Sequence, residues 1–325
     1  MSDLLFALNA TSPIVIMVLI GYFLKRIGML DGDVAKKLNK IVFRVFLPAM
    51  LFLNMYKIES LADVDFLFVW YTIASTVLLF IIAIFVVRAF TPENPKRGAL
   101  LQSVFRANYA LVGIPLATSL FGAEGAIAAT VLSAFIIPVF NSLAVIGLSI
   151  FSSDKKPSIK KILIGILKNP LIQSIAAGFV ALGIRAIFVK CGVEWRLTDL
   201  EPVYKTLTSL SSVATPLALL VLGAQFELSA IPQLKRHIIF GVLARNLIVP
   251  LVGISVAYFL GCFSGAHFAT FVAVFCTPVA VSSVPMAQEM DSDVSLAGQL
   301  VVWSTVFSAV SIFLASYILK VVGVF

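Results

Sequence analysis

Runs of about 20 apolar residues recur along the whole chain and constrain its fold more than any other feature. Each run is long enough to cross a hydrocarbon core about 30 Å thick, at about 1.5 Å per helical residue. Of the 325 residues, 60% are hydrophobic and 12% are charged, whereas soluble proteins carry about 25% charged residues. Because lipid offers the backbone no hydrogen-bond partner, the runs are expected to be helices. We therefore predict an all-α polytopic membrane protein embedded in the lipid bilayer.

The apolar pattern predicts ten transmembrane helices. The predicted spans are 12–29, 39–56, 67–90, 99–121, 126–151, 161–188, 206–225, 237–261, 267–289 and 295–322. Most Lys and Arg residues fall in alternate loops, with Arg106 assigned to the flank of the loop between spans 3 and 4. The positive-inside rule places these loops in the cytoplasm and both termini outside it, in the cell (inner) membrane. The same alternation explains the net charge of +8 without a nucleic-acid partner.

The two halves of the chain share landmarks in the same order. Pro115 and Pro285 lie 170 residues apart, and the windows of spans 3, 4 and 5 fall at that offset on those of spans 8, 9 and 10. Five spans per copy is an odd number, so the second copy enters the membrane from the other side. We predict two inverted five-helix repeats, residues 1–155 and 156–325, which is a common plan in secondary transporters.

Spans 4 and 9 each carry helix breakers near their centres. The stretches are NYALVGIP, from Asn108 to Pro115, and PVAVSSVP, from Pro278 to Pro285. A proline can merely kink a membrane helix, but matched breakers in both copies favour two broken helices. Each second half-helix would then aim the partial positive charge of its N-terminus at the bilayer centre, where two such ends favour an anion.

The polar and breaker residues of these two spans are the candidate substrate-binding residues, together with one intramembrane arginine. They are Asn108, Tyr109, Gly113, Pro115, Pro278, Ser282, Ser283, Pro285 and Arg245. For Tyr109, stacking on substrate and simple packing are both open. For Arg245, snorkelling to the surface or structural pairing competes with direct anion binding. No catalytic residue, metal site or cofactor is expected.

Three stretches of the chain resemble the auxin efflux carrier family. They are NYALVGIPLATSLFG in span 4, KNPLIQSIAAGFVALGI in span 6, and VSSVPMAQEMDSDVSLAGQLVVWSTVFSAVSIF across spans 9 and 10. Because loop 5–6 is short and basic, the chain looks like a compact, bacterial-type PIN-like member. The resemblance implies ten helices in two inverted repeats, a crossover of helices 4 and 9, and elevator-like movement. It also implies organic-anion substrates, which include auxin in plants and malonate or malate in bacterial relatives.

These observations predict a secondary transporter that moves a small organic anion, a carboxylate, by alternating access. A symporter of another small solute, coupled to Na⁺ or H⁺, and an anion channel are the alternatives. A membrane-embedded enzyme would need clustered His, Asp, Glu or Cys side chains, which the sequence does not offer, so we expect no enzyme. A receptor that binds without flux is a further alternative. Direction, substrate identity and a homodimeric state stay open.

Overall fold

The computed structural model is built of helices throughout its described part. It describes residues 2–57, 65–152, 164, 167–193, 195–263 and 265–325, with side chains from residue 12 onward. The α-helices are α1 Ser2–Arg26, α2 Gly32–Ile41, α3 Leu47–Tyr56, α4 Phe66–Phe90, α5 Asn94–Phe105, α6 Ile114–Ile150, α7 Pro170–Lys190, α8 Glu201–Gln225, α9 Ile231–Leu243, α10 Val249–Leu260, α11 Gly265–Phe275, α12 Ser283–Glu289 and α13 Val294–Val321.

Seven helical stretches among the described residues are long and apolar enough to cross a membrane. They are Gly32–Tyr56, Phe66–Phe90, Tyr109–Ile150, Pro170–Lys190, Glu201–Gln225, Leu228–Leu260 and Val294–Val321. A shorter apolar helix, Gly265–Phe275, accompanies them. The chain is therefore an all-helical, multi-pass membrane protein, as the apolar runs predicted.

The longest of these stretches bends sharply within α6. Phe121 and Gly122 have non-helical dihedral angles, and φ of Gly122 is +58°. A positive φ is unfavourable for residues with a Cβ atom, so a glycine is suited to this position. The bend separates residues 114–120 from residues 123–150, close to the predicted boundary between spans 4 and 5.

Three π-helical turns each precede a proline. Val42–Phe46 joins α2 to α3 before Pro48, Tyr109–Gly113 leads into α6 before Pro115, and Ala244–Ile248 joins α9 to α10 before Pro250. A proline ring clashes with the carbonyl group four residues earlier. In each case that carbonyl lies in the π turn, whose wider winding makes room for the ring.

The helices pack as two groups. The first helix group comprises α1, α2, α3, α7 and α8, and the second helix group comprises α4, α5, α6 and α9 to α13. The groups meet where α1 packs on α13, where α3 and α7 approach residues 106–110 and the middle of α6, and where α12 contacts α2 and α8. The candidate site lies at the second of these contacts.

Two glycines allow α1 and α8 to cross at very short range. A Cβ atom at Gly223 would overlap the carbonyl oxygen of Val18, and one at Gly21 would overlap that of Leu220. Small residues at such crossings are the usual way for membrane helices to pack closely.

We expect Gly223→Ala to destabilise the first helix group, because the added methyl group forces α1 and α8 apart. The thermal unfolding midpoint in detergent should fall by several degrees. Gly183→Ala is the matched control, since its Cβ would enter open space on α7 and alanine favours helix by about 1 kcal/mol over glycine. Equal midpoints for both variants would contradict the close crossing.

Candidate functional site

The chain leaves the helical conformation twice inside the second helix group. The first break, residues 106–108, lies between α5 and the π turn that begins at Tyr109. The second, residues 276–282, lies between α11 and α12. Pro278 explains the second break, because it has no amide hydrogen and disfavours a helical conformation at the residue before it. The first break contains no proline and depends on the second for its hydrogen bonds.

The two breaks cross and pair through their backbones. Ala107 and Val279 form an antiparallel bridge. The Asn108 amide donates to the Pro278 carbonyl oxygen at 2.8 Å, and the Ala280 amide donates to the Arg106 carbonyl oxygen at 3.3 Å. The Ser304 hydroxyl oxygen on α13 accepts a hydrogen bond from the Val279 amide at 3.0 Å. These hydrogen bonds replace the helical ones that are lost at the breaks. The freed backbone groups therefore have partners within the protein, which lipid could not provide.

Arg106 places a buried guanidinium at this crossover. The side chain is 2% exposed, and its hydrogen-bond partners are all uncharged. It donates from Nη2 to Asn141 Oδ1 at 2.7 Å and Ser282 Oγ at 2.8 Å, and from Nη1 to Gln102 Oε1 at 2.8 Å, Met286 Sδ at 2.8 Å and Ser283 Oγ at 3.4 Å. No ion pair among the described residues includes Arg106. A buried charge is costly unless it is paired, so the guanidinium has capacity for an anion.

A small cavity of about 60 Å³ opens beside Arg106. Its wall from the second helix group includes Arg106, Asn108, Asn141 and Ser282, and its opposite wall comes from the first helix group. That opposite wall consists of Leu47, Met50, Leu51 and Asn54 on α3 and Leu171 on α7. The cavity is far smaller than the roughly 300–1,000 Å³ pockets that bind drug-sized molecules.

Asn108 presents an unused hydrogen-bond donor in this cavity. The residue is 8% exposed, and its Nδ2 atom is buried with no hydrogen-bond partner in the part of the chain that the structure describes. Buried polar atoms are nearly always hydrogen-bonded, so an exception calls for a ligand or water. An amide donor beside a guanidinium matches the two oxygen atoms of a carboxylate.

Arg245 lies elsewhere in the second helix group and binds the protein itself. It is 1% exposed and donates from Nε to Thr277 O at 2.8 Å, from Nη2 to Val274 O at 2.6 Å and from Nη1 to Val104 O at 3.4 Å. Val104 and Val274 belong to the last turns of α5 and α11, where helices carry partial negative charge, and Thr277 lies two residues beyond α11. Arg245 thus ties two helix ends together at the crossover and does not reach the surface.

Sequence comparisons identify the family of the chain. The model of the membrane transport protein family matches residues 6–160 and 149–316. The chain belongs to this family, the auxin efflux carrier family. It is also 27% identical over 314 residues to an uncharacterised transporter from Methanothermobacter thermautotrophicus, with 94% of this chain and 96% of the relative covered. An uncharacterised transporter from Methanocaldococcus jannaschii is 26% identical over 319 residues, with the same coverage.

The candidate residues taken from the family motif and the breakers fall into three places. Asn108, Tyr109 and Ser282 line the cavity, and the Tyr109 hydroxyl is engaged with the Ala129 carbonyl oxygen at 2.8 Å. Ser283 contacts Arg106, and Pro278 lies in the crossover. Ser283 and Pro278 lie outside the cavity lining, as do the four remaining candidates, Gly113, Pro115, Pro285 and Arg245. The two prolines stand at the second position of α6 and the third of α12, downstream of the breaks.

The assignment of Arg106 to a basic loop was wrong. The structure places it at the end of α5, buried among Gln102, Asn141 and Ser282. A count of Lys and Arg residues by loop treats every arginine as a topology signal, including one that lies inside a membrane span. The overlooked signal is position, because Arg106 follows the apolar run GALLQSVF. At about 1.5 Å per residue, that run carries the helix roughly 12 Å into the membrane.

Proposed function

We propose that this protein is a secondary transporter that moves a small organic anion, a carboxylate, by alternating access. The observation that supports this most is the buried Arg106, which pairs with no described acidic residue and lines the same cavity as Asn108, whose Nδ2 donor is unused. The carboxylate would accept hydrogen bonds from Asn108 Nδ2 and from Arg106 Nε, because the Nη1 and Nη2 hydrogens of Arg106 already bond described residues. Asn141 and Ser282 would hold the guanidinium in place, and the N-terminal amides of the helix that starts at Tyr109 would add partial positive charge.

The position of the cavity supports an elevator-like movement. One wall belongs to each helix group, so relative movement of the groups would carry Arg106 and its anion past α3 and α7. Where α12 meets the first helix group, the contacts are polar: Arg44 to Glu289 at 3.6 Å, Gln225 to Gln288 at 2.9 Å, and Gln288 to the Lys36 carbonyl at 3.2 Å. Exposed ion pairs contribute only about 0–1 kcal/mol, so such contacts separate at little cost.

Within this proposal the chain forms ten spans in two inverted repeats, residues 1–155 and 156–325, in the cell membrane with both termini outside. Spans 4 and 9 correspond to α5 with the start of α6, and to α11 with α12. Transport needs no enzymatic step. Uptake driven by a Na⁺ or H⁺ gradient would make the protein a symporter, and non-saturating flux would make it an anion channel.

The experiment measures the uptake of labelled carboxylates into proteoliposomes that contain the protein. The carboxylate panel is glycolate, lactate, pyruvate, malonate and malate. Each is tested with pH, Na⁺ and voltage gradients varied separately, and with an unlabelled neutral amide as competitor. Saturable uptake of at least one panel member, uninhibited by its amide, is the expected result. Uptake that does not saturate, or that amides compete for equally, would contradict a carboxylate carrier.

Asn108→Ala should lower carboxylate uptake by roughly tenfold while leaving the protein folded. The variant removes one cavity donor, and a hydrogen bond to a charged group contributes about 1.5–3 kcal/mol. Because Nδ2 has no hydrogen-bond partner among the described residues, the fold loses little, and the thermal midpoint should stay within about 2 °C of wild type. Ser133→Ala is the control, since that exposed hydroxyl binds only the Thr130 carbonyl of its own helix. Wild-type uptake by Asn108→Ala would remove Asn108 from the site.

A further inference from the structure

The charge of Arg106 is not neutralised by any residue that the structure describes. Its acceptors are two side-chain amide oxygens, two serine hydroxyls at the start of α12, and the thioether of a methionine. No ion pair within the described ranges involves it. The cavity is therefore bordered by one positive charge that a bound monocarboxylate would cancel.

Arg245 differs from Arg106 in this respect. Two of its three acceptors are carbonyl oxygens in the last turns of α5 and α11, and the third, Thr277 O, lies two residues beyond α11. The C-terminal end of a helix carries roughly half a negative charge. Because those partners are part of the protein backbone, Arg245 is compensated whether or not an anion is bound. Its charge does not distinguish the loaded carrier from the empty one.

We infer that the protein works mainly as an exchanger, in which one monocarboxylate enters as another leaves. This inference rests on the proposed function. Loaded with a monocarboxylate, the moving helix group crosses with Arg106 paired. Without a bound anion, the moving helix group must carry the unpaired guanidinium across the membrane. An unpaired charge in the membrane interior is strongly unfavourable. The return of the empty carrier is then the slow step of net transport, and exchange avoids that step.

The same charge difference predicts how each mode responds to voltage. In one-for-one exchange the loaded carrier moves in both directions, so no net charge crosses the membrane. In net uptake the empty carrier returns outward with one additional positive charge, which an inside-negative potential opposes. One elementary charge moved across 100 mV changes an equilibrium by about 50-fold, so net uptake should slow under inside-negative voltage while exchange does not.

The test uses proteoliposomes and labelled glycolate, lactate and pyruvate at neutral pH, each tested alone. One set of vesicles is preloaded with the same unlabelled monocarboxylate, and the other with chloride. Valinomycin and potassium gradients set the voltage at 0 or −100 mV. We expect preloading to raise the initial rate of label entry at least tenfold, and exchange to be equal at the two voltages. Equal rates in the two sets would overturn the exchange inference but leave a carboxylate carrier. Flux in neither set for all three probes would contradict the proposed function itself.

Asn141→Asp tests the charge argument by a second route. Asn141 Oδ1 lies 2.7 Å from Arg106 Nη2, so the new carboxylate would pair with the guanidinium as a bound anion does. We expect the variant to be more thermally stable than wild type when empty, and to lose both flux and any stabilisation by lactate. Asn141→Ser is the control that removes the amide without adding charge. Lactate stabilisation of Asn141→Asp equal to wild type would overturn the assignment of the unpaired charge to Arg106.

Discussion

Arg106→Gln is expected to abolish carboxylate transport while leaving the protein folded. The substitution removes the one formal charge among the residues that line the cavity. Truncating a hydrogen-bonded, desolvated charge pair costs about 2–5 kcal/mol of binding, which corresponds to a loss of roughly 30- to 3,000-fold in affinity. Affinity for each transported member of the carboxylate panel, measured by displacement of label from purified protein, gives the size of the loss.

The fold should tolerate this change because no described acidic residue pairs with Arg106, and because its acceptors belong to side chains that can turn to other partners, unlike the backbone carbonyls bound by Arg245. Replacing a buried charge with a neutral side chain is often neutral or stabilising when no opposite charge is left behind. Arg106→Lys keeps the charge but loses the planar fork, so its affinity should fall between wild type and Arg106→Gln. Arg88→Gln is the matched control, because Arg88 lies at the exposed end of α4 and stacks on Phe151. Unchanged affinity in Arg106→Gln would show that the anion binds elsewhere.

Arg245→Gln should have the opposite result, with loss of the folded protein. Three carbonyl oxygens at the ends of α5 and α11 would lose their donor. A buried acceptor without a partner costs about 1–3 kcal/mol, and glutamine can replace at most one of the three bonds. We therefore expect a thermal midpoint at least 5 °C below wild type, and aggregation during size-exclusion chromatography in detergent.

Because both variants replace an arginine with glutamine, a comparison of Arg106→Gln with Arg245→Gln separates effects on anion binding from effects on folding. Any Arg245→Gln protein that remains folded at low temperature should still bind carboxylate with near wild-type affinity, because Arg245 does not line the cavity. A folded Arg245→Gln variant of normal midpoint that has lost carboxylate binding would contradict this division. It would assign Arg245 the role that we give to Arg106.

The helices and their interruptions followed largely from local sequence. Apolar runs marked the membrane-crossing stretches, and Pro278 marked the second break because proline cannot continue a helix. Near Asn108 the prediction was several residues off. Pro115 suggested a break just before it, but the preceding π turn absorbs that proline, and the chain leaves the helix at residues 106–108 instead. That position depends on pairing with Pro278 and Ala280, which lie about 170 residues away.

The chemistry of the site was harder to obtain than its position. Asn108 and Ser282 stood out as polar residues beside breakers, and both line the cavity. Arg106 was missed because its meaning depends on burial, and burial depends on Asn141 of α6 and Gln102 of its own helix. For Arg245 the sequence left surface, structural and anion-binding roles open. Three long-range carbonyl contacts favour the structural role, and no local pattern encodes them.

The most direct measurement is a cryo-electron microscopy structure of the protein in lipid nanodiscs, with the panel carboxylate that is transported fastest present at saturating concentration. Density for its carboxylate within about 3 Å of the Arg106 guanidinium and Asn108 Nδ2, between the two helix groups, is the predicted result. A carboxylate bound away from the crossover, or the same density in the Arg106→Gln protein, would contradict it.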